Sequence, residues 1–402
     1  MMGMQIRLYP TKVQLEQIKN HIDTSRFVYN HMLARRLEAY KTDQTTIGKY
    51  DLMQLATAMK HTEEYDWLKN VHSQTLQTSI LNLDTAFKNF YRKVKQGNGP
   101  KGFPRFKSKK NPLQSFQYPQ GVHANSAYSK LYLPKIGYVK CRGYRSELTG
   151  NIKTVTIKVS SSGRVSASLL IAYEPIVQPN TNTNYIGLDV GTNKFVTDST
   201  GVLHQPLDLT RPVARIKHLQ KMLANMITHA KNKQGISKYD ELVLSNNVIR
   251  TQSAIAKQFE HITNKRDNYV HHIANKYLQY RIVYVEDLNI RDMLKSTVGT
   301  EDNPNYQSRQ DARLHNLVSR QAWGKFFTVL EYKLARRKSG LVRVPPAYTS
   351  QMCSSCGAID KKSRNRESYT CTSCGHHADA DVNAAMNIAH IGRTQILAVD
   401  TA

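Results

Sequence analysis

Residues 353–356 read Cys-Ser-Ser-Cys, residues 371–374 read Cys-Thr-Ser-Cys, and residues 379–385 read Asp-Ala-Asp-Val-Asn-Ala-Ala. Two CxxC pairs separated by a short loop have the spacing of a tetrahedral zinc site. Four thiolates fill every coordination position of one Zn²⁺, so the ion would be structural. A redox disulfide or an iron site is the alternative for the same four side chains. The predicted zinc ligands are Cys353, Cys356, Cys371 and Cys374.

A carboxylate, Asp381, follows the second cysteine pair, and two upstream acids stand in similar surroundings. Asp189 and Glu286 each end an apolar stretch that reads as a buried strand. Sites in α/β sheets assemble at strand ends, and the glycines on both sides of Asp189, Gly187 and Gly191, are expected to leave room for a metal and a phosphate. Side chains alternate along a strand, so Glu286 and the aspartate after it cannot face one site. Three close carboxylates repel, and two Mg²⁺ ions would relieve that repulsion.

The bulk composition indicates a polyanionic partner. The chain has 402 residues and a formal net charge of +27, which favours nucleic acid because self-repulsion contributes nothing to folding. A membrane-surface binder is less favoured, since the charge is not confined to one amphipathic helix. The sequence shows no apolar run of transmembrane length and no signal peptide. Five cysteines, four of them in zinc spacing, suit a reducing compartment, and Cys141 is expected in a core.

The N-terminal half combines strands and helices. Residues 4–9 alternate as a strand, and Thr11 with Gln14 predicts a capping box that opens a helix. Residues 113–174 predict a β-barrel or sandwich, which the first strand can join with the helices inserted between. The Pro-, Thr- and Asn-rich segment 175–184 is the expected domain boundary.

The C-terminal half reads as mixed α/β, followed by the zinc loop and a helix. A polar stretch over residues 296–310 is expected to be a loop. We expect strands over 185–190, 282–286 and 341–344, and helices over 213–233, 240–278 and 323–337.

Residues 101–110 interleave aromatic and cationic side chains, reading Lys-Gly-Phe-Pro-Arg-Phe-Lys-Ser-Lys-Lys. Cations contact phosphates and rings stack on bases, so this stretch predicts nucleic-acid contact; a solvated charged face is the alternative. The predicted contacts are Lys101, Phe103, Arg105, Phe106 and Lys107.

Several segments carry a family resemblance. Residues 187–191, 285–289 and 379–385 resemble the three split motifs of a RuvC-type nuclease domain. Residues 349–357 resemble the start of the zinc ribbon of TnpB, the RNA-guided endonuclease of bacterial insertion sequences and a relative of type V CRISPR effectors. The N-terminal segments 7–11, 26–30 and 102–106 are also similar to TnpB.

The resemblance implies a fold that is α/β plus a β-barrel and a helical insertion. An RNase H-like RuvC nuclease domain would cover residues 182–402, with the zinc ribbon inserted over 347–377. A wedge-type β-barrel would comprise residues 1–10 and 99–178. A helical recognition domain would be inserted between these two segments, over residues 11–98.

The resemblance also implies ligands and roles. The protein would be a cytoplasmic, nucleoid-associated monomer holding one guide RNA from the transposon end, and would cut double-stranded DNA beside a short flanking motif. Asp189, Glu286 and Asp381 occupy the catalytic positions, with Asp379 as the alternative third acid. The family often has Arg where this chain has Ala380. Gln77 is the candidate reader of the flanking motif.

Three other functions fit parts of the pattern. Residues 189–192 resemble the first phosphate loop of the actin and sugar-kinase ATPases, but the second glycine-rich loop and the adenosine loop of that class are not found in the sequence. A guided DNA-binding protein without cleavage should have lost acids from the triad. A DNA strand-transfer transposase would use the same metal chemistry.

Overall fold

The chain divides into two compact units, and each is described by itself. The first comprises Met1–Glu174 with Gln252–Lys257, and the second comprises Pro175–Thr251 with Gln258–Ala402. The computed structural model describes residues 2–97, 102–111, 113–143, 150–172, 179–235, 243–293 and 321–400.

The first unit contains one antiparallel sheet of seven strands in the order β2-β6-β7-β1-β5-β4-β3. Strand β1 lies between β7 and β5, so the predicted joining of the first strand to the later strands is confirmed. The strands are β1 (Met2–Tyr9), β2 (Leu113–Tyr118), β3 (His123–Ala124), β4 (Lys130–Leu133), β5 (Gly137–Arg142), β6 (Ile152–Ser160) and β7 (Val165–Ile171).

This sheet curls around a single core. Phe116 near one end of the strand order and Leu131 near the other belong to the same buried cluster, which also contains Cys141. The hydroxyl of Tyr118 donates to the backbone oxygen of Pro134 at 2.9 Å, which fastens the two ends together. No backbone pairing joins β2 to β3 among the described residues, so the ladder itself is open there.

Helices follow β1 directly. Thr11 and Gln14 form the predicted capping box, with each side chain accepting from the other residue's backbone N–H. Apolar faces of the first and third helices pack on each other through residues such as Met32 and Ile80. The helices are α1 (Lys12–Asp43), α2 (Lys49–Met59) and α3 (Ser73–Gln96), with a 3₁₀ segment over Glu63–Asn70.

The second unit is built on a five-stranded mixed sheet in the order β10-β9-β8-β11-β12. Strands β8, β11 and β12 are parallel, whereas β9 is antiparallel to β8. Parallel strands bring their carboxyl ends to one edge, and the register pairs Val285 with Leu188, so Asp189 and Glu286 stand level there. The strands are β8 (Tyr185–Asp189), β9 (Val196–Asp198), β10 (Leu203–His204), β11 (Ile282–Glu286) and β12 (Gly340–Val344).

Helices accompany this sheet as predicted, with one shift in a boundary. The helix expected from residue 240 begins at 246, because the hydroxyl of Ser245 caps it by accepting from the N–H of Val248. The loop predicted over 296–310 lies outside the described residues. None of the described helices is long and apolar enough to cross a membrane. The helices are α4 (Thr210–Gln234), α5 (Asn246–Lys276), α6 (Ile290–Met293), α7 (Trp323–Ala335) and α8 (Ala380–Asp400).

Helix α8 lies directly on β8, and Gly187 makes this possible. A Cβ at Gly187 would stand 2.1 Å from the backbone oxygen of Ala385, a distance that no side chain tolerates. The expectation that both glycines beside Asp189 make room for ligands is therefore wrong for Gly187, which makes room for a helix. Gly191 lines the cavity at the acidic site.

The cysteine segment forms a small three-stranded sheet between β12 and α8. Its strands are β13 (Arg364–Asn365), β14 (Ser368–Thr370) and β15 (His377–Asp379). Strand β15 runs straight into α8, so this ribbon, the segment between β12 and α8, ends where the helix bearing Asp381 begins.

Candidate active site

The three predicted acids line one cavity of the second unit. Asp189 ends β8, Glu286 ends β11, and Asp381 lies in the first turn of α8. The cavity has a volume of about 570 Å³, and most of the residues that line it are polar or charged. The sheet register and the packing of α8 on β8 together bring these residues, distant in sequence, to one place.

Burial and mutual repulsion act on the carboxyl groups. Burial raises the pKa of Asp189 to about 7, and the neighbouring carboxylates of Glu286 and Asp381 add to the increase. Burial also raises the pKa of Glu286. This effect exceeds those of the Thr349 hydroxyl and the Arg364 charge, which lower the pKa. Burial and proximity thus disfavour the charged forms of these acids, and a bound cation would relieve that penalty.

Two cations of the chain already contact the third acid. The ammonium of Lys194 lies 3.2 Å from one oxygen of Asp381, and the guanidinium of Arg364 lies 2.8 Å from the other. Lys194 is buried and also donates to Asp379 at 2.6 Å. The pKa of Lys194 is raised, because these carboxylates outweigh the effect of burial.

Asp379 and Asp381 have different surroundings. One oxygen of Asp379 accepts from the backbone N–H groups of Asp381 and Val382, which caps the start of α8. Burial would raise the pKa of Asp379, but its bonds from Lys194 and from these N–H groups lower it overall. Asp381 lines the cavity, whereas Asp379 is not among the lining residues.

The four cysteines come together as predicted. Their Sγ atoms all lie within 4.8 Å of one another, and all four are free thiols. The distances from Cys353 to Cys374 and from Cys356 to Cys371 are both 3.7 Å. A tetrahedral ZnS₄ centre with Zn–S bonds of about 2.3 Å requires S···S distances of about 3.8 Å. The set therefore fits a structural zinc ion.

The acids are less tightly grouped than the cysteines. Within the described ranges, the cysteine set is the one group of three or more potential ligands close enough to share an ion as it stands. The three carboxylates share a cavity, and the two oxygens of Asp381 form ion pairs with Lys194 and Arg364.

Three buried polar residues that sequence reasoning missed hold this region together. The hydroxyl of Thr349 donates to Glu286. The side-chain amides of Asn383 and Asn387 donate to backbone oxygens of the segment that enters the ribbon. The sequence carried one signal of these contacts. Positions 383 and 387 are both Asn on an otherwise apolar helix face, which is unusual unless the polar side chains have hydrogen-bond partners.

The basic loop of the first unit is pinned to α1. The side chain of Asn30 exchanges two hydrogen bonds with the backbone of Lys107, at 2.9 and 2.7 Å. The Lys107 ammonium lies 4.0 Å from the ring centre of Tyr29. Arg105 and Phe106 are exposed. These contacts fix the backbone and leave charged and aromatic groups at the surface.

The remaining predicted contact residues have different environments. Phe103 is half-exposed but packs edge-on against Phe87 and Phe90 of α3, so only part of its ring is available. Gln77 is exposed on α3. Lys101 lies outside the described residues.

Three family models match parts of the chain. Residues 323–388 match a model described as "Cas12f1-like, TNB domain", and residues 168–297 match one described as "Probable transposase". Residues 1–45 match a model described as "Helix-turn-helix domain". In this structure that last segment contains strand β1 and a single continuous helix, α1.

Full-length relatives extend the match. The InsQ protein of Escherichia coli (strain K12), whose name gives RNA-guided DNA endonuclease as a provisional assignment, is 31% identical over 96% of this chain and 91% of its own length. A protein of Streptomyces pristinaespiralis with the same provisional assignment is 29% identical over 96% and 88%. A solved Cas12f1–sgRNA–target DNA complex covers 93% of this chain and 82% of that one, with 14% identity and a TM-score of 0.49. On the similarity to InsQ over nearly the whole of both chains, this protein belongs to the TnpB family of RNA-guided DNA endonucleases.

Proposed function

We propose that this protein is a transposon-encoded endonuclease that uses a guide RNA to cut double-stranded DNA beside a short flanking motif. The observation that carries the proposal is the convergence of Asp189, Glu286 and Asp381 on one cavity. The net charge of +27 supports a nucleic-acid partner. The guide would come from the transposon end, and one protein chain would hold one RNA.

We assign the domains accordingly. The mixed sheet with order β10-β9-β8-β11-β12 and helix α8 would be an RNase H-like RuvC domain over 182–402, interrupted by the zinc ribbon at 347–377. The curled sheet would be the wedge barrel, from residues 1–10 and 99–178. Helices α1–α3 would be the recognition domain, over 11–98.

The carboxylate set offers the hard oxygen ligands that Mg²⁺ prefers. When bound, two Mg²⁺ ions would activate a water molecule and stabilise the leaving oxygen of the phosphodiester. Asp189 and Glu286 present carboxyl oxygens from a rigid sheet edge, and Asp381 presents its own from the start of α8. Asp381 is our choice for the third ligand, because it lines the cavity with the other two acids, whereas Asp379 does not and caps the helix.

The cations of the site hold the third acid in place. Lys194 and Arg364 bind opposite oxygens of Asp381, so its carboxylate cannot rotate freely. Arg364 belongs to the ribbon, and it is partly exposed toward the cavity. A guanidinium in that position can also pair with a phosphate. The site thus offers both acidic and cationic groups to a DNA strand.

Guided plasmid cleavage tests the proposal. RNA that copurifies with the protein from its own locus is sequenced, and its guide is redirected to a plasmid with a randomised flanking motif. Cleavage should require guide, flanking motif and Mg²⁺ together. The substitutions Asp189→Ala, Glu286→Ala and Asp381→Ala should each abolish cutting and leave guided DNA binding intact.

The matched control is Asp287→Ala, an exposed acid adjacent to Glu286 that is not among the cavity-lining residues. This variant should cut at close to the normal rate. Cutting at the guided site by the Asp189→Ala protein would refute the nuclease assignment. Joined DNA strands in place of free ends would identify a strand-transfer transposase.

A further inference from the structure

We propose that Thr349 is a positioning residue that couples the zinc ribbon to the metal-binding carboxylates, acting through the orientation of Glu286. The inference rests on the proposed function, since it assigns Glu286 to metal binding. Thr349 itself stands where the chain enters the ribbon, four residues before the first cysteine.

The first contact is the hydrogen bond from the hydroxyl of Thr349 to Oε1 of Glu286. The backbone oxygen of Pro346, at 3.1 Å, competes for the same proton. A hydroxyl has one hydrogen, and a carboxylate is the stronger acceptor. Thr349 is 1% exposed, so water cannot replace this donor.

The bond leaves one oxygen of Glu286 for a ligand. In the described part of the chain, Oε2 of Glu286 accepts no hydrogen bond. A carboxylate held by one oxygen presents the other in a fixed direction, which is how hydrogen-bonded partners orient metal ligands. Thr349 therefore sets the direction in which Glu286 points into the cavity.

The second set of contacts fixes Thr349 itself. The amide of Asn387 donates to the backbone oxygens of Thr349 at 2.8 Å and Met352 at 2.6 Å. Asn383, one turn earlier on α8, donates to Met352 and accepts from the N–H of Ser354. Both asparagines are at most 1% exposed.

These contacts form one connected unit. Helix α8 carries Asp381 on its first turn and, through Asn383 and Asn387, holds the segment that leads into the ribbon. That segment carries Thr349, and Thr349 holds Glu286. The ribbon and two of the three acids are therefore positioned by the same helix.

The expected consequence is a change in metal affinity. Thr349→Val keeps the shape of the side chain but has no hydroxyl, so Glu286 loses its orientation. Loss of such a partner weakens metal affinity by about 10–100-fold. Cleavage at saturating Mg²⁺ should fall much less than this, and Thr349→Ser, which keeps the hydroxyl, should behave like the wild type.

The experiment uses the guide-bound protein and two readouts. Binding of Mn²⁺ is followed by electron paramagnetic resonance, and guided cleavage is followed as a function of Mg²⁺ concentration. Zinc content and melting temperature report on folding. Thr349→Val should show an increase of at least tenfold in the metal concentration for half-maximal binding and cleavage, with normal zinc content.

A double variant distinguishes the loss of Glu286 orientation from a general loss of structure. In a Glu286→Gln background, Thr349→Val should have little further effect on Mn²⁺ binding. The proposal would be overturned if Thr349→Val and Thr349→Ser were equally impaired, or if Thr349→Val left metal affinity unchanged. Full additivity of Thr349→Val with Glu286→Gln would also overturn it. Should Thr349→Val fail to fold, Thr349→Ala takes its place.

The two proposals fail in different ways. If the wild-type complex binds Mn²⁺ but never cuts DNA, the proposed function is wrong, while the Mn²⁺ measurements still decide the role of Thr349.

Discussion

At the scale of single residues, the structure places in different surroundings two aspartates that the sequence alone could not separate. Asp379 and Asp381 both follow the ribbon, and either could be the third acid. The structure distinguishes them because Asp381 lines the cavity with Asp189 and Glu286, both far upstream in sequence, whereas Asp379 does not line it and caps α8. A contact between residues so distant along the chain cannot be inferred from local spacing.

The division of roles leads to a direct comparison. Asp379→Asn keeps a side-chain oxygen that can cap α8, so cleavage should fall by less than about tenfold. Asp381→Asn removes the charge that a metal needs, and cleavage should fall by about 10³-fold or more. Single-turnover cleavage at saturating guide RNA measures both. Equal losses in the two variants would contradict this assignment.

The raised pKa of Asp189 predicts a pH effect on stability in the absence of Mg²⁺. The pKa is about 7 in the folded protein, against an ordinary value of 3.8. The carboxyl group therefore favours the folded state below pH 4, and this contribution is lost as the pH rises toward 7 and above. Asp189→Asn cannot ionise, so at pH 8 it should be more stable by about 1–3 kcal/mol, after allowance for residual solvent contact.

Thermal melting in Mg²⁺-free buffer at pH 5 and pH 8 measures this difference. The variant should melt a few degrees above the wild type at pH 8, and the two should be closer at pH 5. Added Mg²⁺ should stabilise the wild type at pH 8 and not the variant. Identical pH dependence in both proteins would show that Asp189 is not the group responsible.

At the scale of elements, the zinc ribbon shows what local sequence can predict. The two CxxC pairs lie close together in sequence, and their spacing alone predicted the cluster that the structure confirms. The attachment of the ribbon to α8 and to Glu286 was not predictable, because Thr349, Asn383 and Asn387 find their partners only after the fold has formed. Polar residues in a core indicate that partners exist but do not identify them.

The ribbon predicts one zinc ion per chain with a structural role. Metal analysis should find stoichiometric zinc, and Cys356→Ser or Cys374→Ser should reduce it and lower the melting temperature. Cys141→Ala, which removes the fifth thiol from the core of the first unit, is the control and should keep its zinc. Zinc content well below one per chain in the wild-type protein, with all four thiols free, would refute this assignment.

At the scale of the whole molecule, the hydrophobic periodicity of the sequence predicted most helices and strands. The order of the strands in the sheets, by contrast, is known only from the structure. Alternation in residues 4–9 and 113–174 predicted strands, but the place of β1 between β7 and β5 depends on pairing across more than 130 residues. The role of Gly187 was mistaken for a similar reason. A glycine near an acid at a strand end can make room for a ligand or for a neighbouring helix, and only the position of α8 decides between them.

The charge of the whole molecule gives the last prediction, which concerns guide binding. Arg105 and Lys107 lie on a loop whose backbone Asn30 fixes on α1, with the ammonium of Lys107 against the ring of Tyr29, and each should contact one phosphate. Each contact releases counterions, so log affinity falls with log salt by about 0.7 per phosphate for a single strand. Arg105→Ala with Lys107→Ala should therefore reduce the salt slope of RNA binding by about 1.4 and weaken binding at low salt.

The control replaces two cations of the same unit that are paired with acids, Lys69 with Asp66 and Arg35 with Glu38. Arg35→Ala with Lys69→Ala lowers the net charge equally but should leave the slope unchanged within error. Filter binding of a guide RNA across a range of salt concentrations gives both slopes. Equal slopes for the two double variants would mean that overall charge, and not this loop, holds the RNA, because a general field depends only on the number of charges whereas phosphate contacts depend on their positions.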